Sequence, residues 1–452
     1  MLRRITSGAG RGGIWFVLLL TVLLALYLLI GRILVFTIAS SQTSLEVLLR
    51  NTGLEQLNIS HAAGDWRGFD PVFKLDGLQM SGDEDEPVRI EEMRLRVDFF
   101  KSLVEGRAVF SELELAGVRL TLVADDDGFR IKGFGGTGQM ADLNWLFDTV
   151  PHLEVVSLSD VDVAVEGRNN RVRIRSRDGE PWQILGNGER KSVLFPVYIV
   201  REGDGNSWKN RLHFTGSYSG DFRSDDFLAK LYLNIPTLDL VNFLPDISIA
   251  HQKLNTADFS SEIWLDVKPD EVSVIGNIEL GSVLSQQATG PQALVDYGGL
   301  QFRYTGPSFT EGSIVIPSLE FVQGEFQYAL TDILGAMELD DGFSFVAEIP
   351  AVDVAQVSDL LQFAGDKQLL SGRLSTALSV VKPRGLLQDV TLLFHPSRSE
   401  PLLVGNLVNF RMDAYLGVPA IDPLNGLLVA QPSRGYLDID NDAFVMDFAQ
   451  MF

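Results

Sequence analysis

Val161-Asp162-Val163-Ala164-Val165-Glu166-Gly167-Arg168-Asn169-Asn170-Arg171-Val172-Arg173-Ile174-Arg175 reads as two strands joined by a turn. Val161, Val163 and Val165 take one face, with Asp160, Asp162 and Glu166 on the other. After the turn at Gly167–Asn170, Val172 and Ile174 continue the apolar face, and Arg171, Arg173, Arg175 and Arg177 continue the polar one. A period of two is the signature of a strand with one solvated face. Four arginines in alternation suggest an anion site, but acids stand ready on the neighbouring strand, so the pattern suits a cross-strand charge ladder.

The same period runs outward along the chain. Leu113 and Leu115, then Val118, Leu120 and Leu122, are apolar positions separated by polar ones. Val272, Val274, Ile278 and Leu280 repeat the pattern, as do Phe343 and Phe345, and Val390, Leu392 and Phe394. Turn residues punctuate these runs at short intervals, as in a meandering antiparallel sheet. Short helices are expected after Ser44, closed by Gly53, and over Phe99–Val104, closed by Gly106. The fold class expected is mainly β: an N-terminal transmembrane helix, then a repetitive antiparallel β-sheet with a few short helices. About 25–30 strands fit the length beyond the anchor.

Composition narrows the function. The 452 residues carry 37 Lys+Arg against 60 Asp+Glu, a net charge of −23. Such acidity speaks against nucleic acid as a partner, which calls for a basic face. With no cysteine there are no disulfides, thiolate nucleophiles or Cys-containing metal sites. The five histidines are scattered without metal-ligand spacing. Gly133-Phe134-Gly135-Gly136-Thr137-Gly138 spells a G-x-G-x-x-G, yet the charged, turn-like Asp125–Arg130 precedes it where a dinucleotide fold needs a buried parallel strand. Gly216–Gly220 places its serines one position off a nucleophile elbow, and Asp83–Glu86 reads as a solvated loop. No catalytic residue, cofactor or metal site emerges, and a non-enzymatic role is expected.

Between Arg11 and Arg32 lie 20 residues without a charge, running apolar from Ile14 to Ile30. At 1.5 Å per residue that is roughly 30 Å of helix, enough to cross a bilayer core. A cleaved signal peptide would have a shorter apolar region, and Ala39-Ser40-Ser41 is a weak cleavage site. Arg3, Arg4 and Arg11 precede the span, whereas Arg50 is the first positive residue after Arg32, which keeps the N-terminus cytoplasmic. The expected organisation is a cytoplasmic stub at 1–13, an anchor at 14–36, a helix–strand region at 41–150 and hairpins at 151–234. Two repeats come next, at 235–348 and 349–452. Ile235-Pro236-Thr237-Leu238-Asp239-Leu240 resembles Ile349-Pro350-Ala351-Val352-Asp353-Val354, and Val267-Lys268-Pro269 recurs as Val381-Lys382-Pro383 at the same offset. Each unit is expected to end a strand, begin a short helix after the aspartate, and end a strand again at Lys-Pro. The apolar Phe448–Phe452 ending suggests the N-terminal part of a longer protein.

Several stretches, taken in order, resemble the AsmA-like proteins of Gram-negative envelopes, the YhdP type in particular. They are the anchor with Thr52-Gly53; Trp66, Gly68, Phe69, Pro71, Leu75 and Leu78; and Val97–Gly106 running into Leu113, Leu115, Val118 and Leu120. Asn144–Phe147, Leu424–Leu427 and Gly435–Ile439 complete the series. The resemblance implies a bridge-like lipid-transfer protein: an elongated, curled, groove-like antiparallel β-sheet, single-pass in a bacterial inner membrane, its bulk periplasmic, with phospholipids as partners moving toward the outer membrane and supporting its barrier. The candidates for groove lining are Val118, Leu120, Leu122, Val161, Val163, Val165, Val272, Val274, Ile278, Leu280, Phe343 and Phe345. The alternative is a non-transporting envelope scaffold or outer-membrane assembly factor, in which the same body binds an outer-membrane or periplasmic protein.

Overall fold

The computed structural model describes Val22, Leu29 and residues 57–447, except 81–87, 107–108, 126–127, 133–152, 167–170, 187–189, 202–210, 221–223, 225, 243–247, 250–251, 288–289, 340–342, 368–371, 397–399 and 417. Most of the expected anchor, the Ser44–Gly53 helix, the glycine motif at 133–138, the Asn144–Phe147 segment and the last five residues therefore lie outside the described residues. Val22 and Leu29 are both helical and exposed. Among the described residues no helix is long and apolar enough to cross a membrane. The chain divides into two compact units, residues 1–209 and 210–452, a boundary inside the expected 151–234 region.

The first unit contains β1 (Leu57–Asn58), β2 (His61–Arg67), β3 (Asp70–Met80), β4 (Val88–Val97), α1 (Phe99–Glu105), β5 (Phe110–Asp125) and β6 (Gly128–Ile131). After these come β7 (Val155–Ser159), β8 (Asp162–Glu166), β9 (Arg171–Arg175), β10 (Trp182–Leu185) and β11 (Arg190–Arg201). β1 and β2 pair with β3, β3 with β4, and β4 with β5. The short pairs β7/β8 and β10/β9 then continue the sheet to β11. One feature corrects the all-antiparallel expectation: β5 pairs in parallel with both β7 and β8. Parallel neighbours need a crossover rather than a hairpin, and β5 and β7 are separated by residues 126–154, which include β6.

The second unit is an antiparallel meander. Its elements are β12 (Arg211–Ser219), β13 (Leu228–Asp239), a 3-10 turn (Leu240–Asn242), β14 (Ser248–Ile249), β15 (Gln252–Lys268), β16 (Glu271–Gln287), β17 (Gly290–Val295), β18 (Tyr297–Gly306), β19 (Glu311–Gln323), β20 (Phe326–Glu338) and β21 (Ser344–Asp353). A helical hairpin, α2 (Val354–Asp366) and α3 (Gly372–Val381), precedes β22 (Arg384–Phe394), β23 (Leu402–Met412), β24 (Ala420–Gln431), β25 (Arg434–Ile439) and β26 (Val445–Asp447). Strand β5, at 16 residues, and β15 and β16, at 17 each, outrun the spacing of turns expected from sequence.

The two repeats diverge after their shared start. β13 and β21 both end on the aspartate, and both aspartates cap the turn of chain that comes after them. Asp239 accepts from Val241 N at 3.1 Å, and Asp353 accepts from Ala355 N at 2.8 Å and Gln356 N at 3.3 Å. The first cap starts only a 3-10 turn; the second starts a 13-residue helix. Val267-Lys268-Pro269 closes a strand as expected, but Val381-Lys382-Pro383 closes helix α3 and opens β22. Proline explains how one tripeptide serves both places. It lacks the N–H that either element would need to continue.

Candidate functional site

In β3, β4, β5 and the β7–β8 pair, apolar positions two apart give way at one point to an interval of three: Leu75 to Leu78, Ile90 to Met93, Leu115 to Val118, and Leu158 to Val161. An interval of three would throw the second residue onto the opposite face of a regular strand. Here one residue in each strand breaks the alternation while the strands stay paired one to one. Gly77, Gly117 and Asp160 take φ of 63°, 66° and 48°. They lie in one transverse row, because Glu91 falls opposite both glycines and Asp160 falls beside Gly117. At Gly117 a Cβ would stand 2.5 Å from Glu91 Cγ, so glycine is required by backbone and neighbour together.

A second such row crosses the other unit. Ile316 to Leu319, Leu330 to Ile333, Ile349 to Val352 and Leu387 to Val390 are again three apart. Asp332 and Asp389 have φ of 56° and 52°. Pro317 stands opposite Asp332 and Pro350 opposite Asp389, and Asp332, Pro350 and Asp389 line one hollow. Proline suits such a break, where no ladder N–H is needed. All eight of those apolar residues pack into one cluster, as do Leu115, Val118, Leu158 and Val161 in the first unit, so each row keeps both arms on one face. A residue in the left-handed region interrupts the extended backbone of the strand that carries it. Each row is therefore a crease running across the strands.

Burial falls away from the crease. On β22 Val390 is 2% exposed, Leu392 is half-buried and Phe394 is 41% exposed; on the neighbouring strand Ile349 and Ala347 are buried, Phe345 is half-buried and Phe343, just before it, is exposed. Deep residues along a line and exposed ones toward the strand ends describe the cross-section of a trough. On β12, β13, β15, β16 and β18, register continues the apolar face through Phe214, Leu233, Ile263, Val274 and Phe302, all half-buried. Part of the second unit's face is covered. Phe363 of α2 stacks on Phe326 at 6.5 Å and lies 6.0 Å from Phe321.

The twelve sequence candidates fall into two groups. Val118, Leu120 and Leu122 stand beside Val161, Val163 and Val165 in parallel register, and all six join one cluster with Ile90, Ile174 and Trp182. Leu120 is thus packed against a core. Val272, Val274, Ile278 and Leu280 share a face of β16, and register through β18, β19 and β20 carries that face to Phe345, against which Phe343 stacks at 6.3 Å. Val272 is buried, whereas Val274, Ile278 and Leu280 are half-buried outside any buried cluster. The crease residues were missed by sequence reasoning. Their signal is the recurring apolar-x-Gly/Asp-apolar quartet, seen in Leu75-Asp76-Gly77-Leu78 and Leu387-Gln388-Asp389-Val390.

In the first unit the opposite face is polar. Arg96 donates to Asp70 at 2.9 Å and to Glu112 at 2.6 Å; Lys74 pairs with Glu92, and Arg94 with Glu92 and Glu114. The hairpin arginines form the charge ladder: Asp162 lies 3.0 Å from Arg175 and 3.4 Å from Arg173, and Arg171 stands opposite Glu166. A buried amine closes one end of the first unit's apolar face. Lys191 donates to the carbonyls of Leu153 and Gly186, at 3.2 Å for the latter. Burial pushes its pKa down, against the pull of Glu154. Among the described residues no group of His, Asp or Glu could hold a metal ion.

Creased sheets, each with a continuous apolar face, define a β protein organised around extended apolar surface. The family described as YhdP protein matches residues 1–452, and the chain belongs to that family. No curated protein and no solved structure matches it.

Proposed function

We propose that the creased apolar faces carry the acyl chains of phospholipids between the inner and outer membranes, without covalent chemistry, in a chain held to the inner membrane through residues 14–36. The observation that carries this reading is the fall of burial from crease to strand end. A sandwich core is buried throughout; a trough is deep at its floor and accessible at its lips. Because the crease crosses the strands, a trough along it runs from strand to strand and offers the same apolar lining at each step. Acyl chains gain about 0.8 kcal/mol per CH₂ buried, while phosphate heads stay at the wet lip. No site need be specific, so movement is sliding rather than release and recapture.

Val274 and Ile275 test this directly, being adjacent on β16 and on opposite faces. A photo-crosslinking residue at Val274 in the full chain, activated in intact cells, is expected to yield phospholipid adducts, and one at Ile275 is not. Val274→Asp should slow lipid flux and Ile275→Asp should leave it unchanged. An aspartate amid acyl chains costs about 2.5–3.5 kcal/mol, or roughly a hundredfold in rate. Protein adducts at Val274 in place of lipid would favour the scaffold function.

A further inference from the structure

Helix α1 is built inside out. Asp98 caps it through Lys101 N at 2.9 Å, Asp70 accepts from Phe99 N at 3.2 Å, and Gly106 ends it at φ 67°. Ser102 faces the protein, its hydroxyl accepting from Val109 N at 2.9 Å. The side turned outward is apolar: Phe100, Leu103 and Val104, spaced three and four apart and so on one face, are 60%, 68% and 86% exposed. Phe69, in the β2–β3 turn and also exposed, meets Phe100 edge-on at 6.2 Å. Around them Lys101 is engaged by Glu154 at 2.8 Å and Arg67 by Glu112 at 3.3 Å.

We infer that this tip seats in the surface of the bilayer that holds the chain's own N-terminus. Three observations select lipid over protein. Four protruding side chains fall well short of the roughly 800 Å² per partner of a stable protein interface, whereas shallow insertion needs only a small apolar tip. The expected anchor at 14–36 is joined to β1 by residues 37–56, and 20 residues reach about 70 Å at most. That exceeds the length of β3, about 36 Å for 11 residues, which separates the chain's entry at Leu57 from the tip. Val22 and Leu29, seven residues apart in the expected anchor, are helical and exposed, as lipid-facing residues of a span would be. Insertion of the tip would hold the first strands of the apolar face against the membrane, where lipid must enter. The inference rests on the proposed lipid carriage for that purpose, not for its geometry.

The chain has no cysteine, so single-cysteine variants report one site each. Leu103→Cys and Val104→Cys, labelled with an environment-sensitive fluorophore in the full chain, are reconstituted in phosphatidylethanolamine–phosphatidylglycerol vesicles. Leu194→Cys, exposed on β11 and set three strand spacings, about 14 Å, beyond β5 by way of β7 and β10, is the control. Labels at 103 and 104 should shift to the blue and be quenched by doxyl-labelled phospholipid, and the label at 194 should do neither. With the reporter at Phe69→Cys, Leu103→Asp combined with Val104→Asp should abolish the quenching. Labels at 103 and 104 as open to aqueous iodide as the control would overturn the inference. So would labels shielded from iodide yet unquenched by lipid, which would mean a second copy covers the tip. Lipid adducts at Val274 with no quenching here sink only the docking; quenching with no adducts sinks only the carriage.

Discussion

Gly117→Ala probes the crease where two costs can be separated. At φ 66° an alanine meets the left-handed penalty of about 1–2 kcal/mol. Its Cβ would also lie 2.5–2.6 Å from Glu91 Cγ, Cβ and Cδ. Glu91 Cβ cannot rotate away, so β4 and β5 must part, adding an overpacking cost of about 1–3 kcal/mol. Little comes from disturbing the 2.9 Å pair of Glu91 with Arg119, since both side chains are more than half exposed. Gly68→Ala supplies the comparison: φ there is 70° with nothing within 4 Å, so only the first cost applies. In urea unfolding of the full chain, Gly117→Ala should therefore exceed Gly68→Ala by about 1–3 kcal/mol.

Deleting Gly117 sharpens the test. The shortened strand would alternate Leu, Leu, Val, Leu, Leu without interruption, an improvement if the kink were private to β5. If the kink belongs to a row, deletion leaves Glu91 and Asp160 without their opposite residue and shifts one arm's register on both sides, a larger loss than the alanine. Equal stability of the two alanine variants, or a deletion milder than Gly117→Ala, would refute the crease as a shared feature.

Other expectations rest on single contacts. Asp353→Ala removes the cap of α2 and should cost about 1 kcal/mol, loosening Phe363 from Phe326; exchange of α2 amides with deuterium should rise ahead of the sheet's. Asp239→Ala should cost at least as much although it caps only a 3-10 turn, because Asp239 also accepts from Ala257 N at 2.9 Å. Lys191 should shape the alkaline limb of stability. Burial lowers its folded pKa below the ordinary lysine value of 10.5. The unfolded chain therefore binds more protons in the window between the folded value and that ordinary one, and stability rises with pH there. Lys191→Met should flatten that slope in urea midpoints measured across the window, and an unchanged slope would count against the buried amine.

Period-two alternation reveals strands because each side chain reports its own face. It is blind to what lies beside a strand. The parallel pairing of β5 with β7 and β8 joins residues about 43 apart in sequence, Glu112 with Val155 and Leu122 with Val165, and no local pattern encodes that choice over another hairpin. The charge ladder was legible for the opposite reason, since its partners sit across a four-residue turn. Repeat matching succeeded at Ile-Pro-x-x-Asp, where the local chemistry of strand end and cap is the same. It misled at Val-Lys-Pro, where proline stops whichever element precedes it.

The crease stands between these cases, and it decides what kind of surface the apolar face becomes. The step from Leu115 to Val118 is visible in sequence as a slipped interval, and alone it reads as the gap between two strands. Only eight such intervals aligned across neighbours, with Gly77, Gly117, Asp160, Asp332 and Asp389 in the left-handed region, make it a structural line. A strand without such a left-handed break keeps strict alternation and a smooth face; a break without a compensating shift in the apolar interval turns one arm inside out. Both together let a strand fold sharply while all its apolar side chains stay within the fold. Selection for a filled core alone would have no need of such a line, because a flat face packs against a second layer equally well. A line carried from strand to strand gives the apolar face a direction, across the strands, along which the same floor recurs at every step.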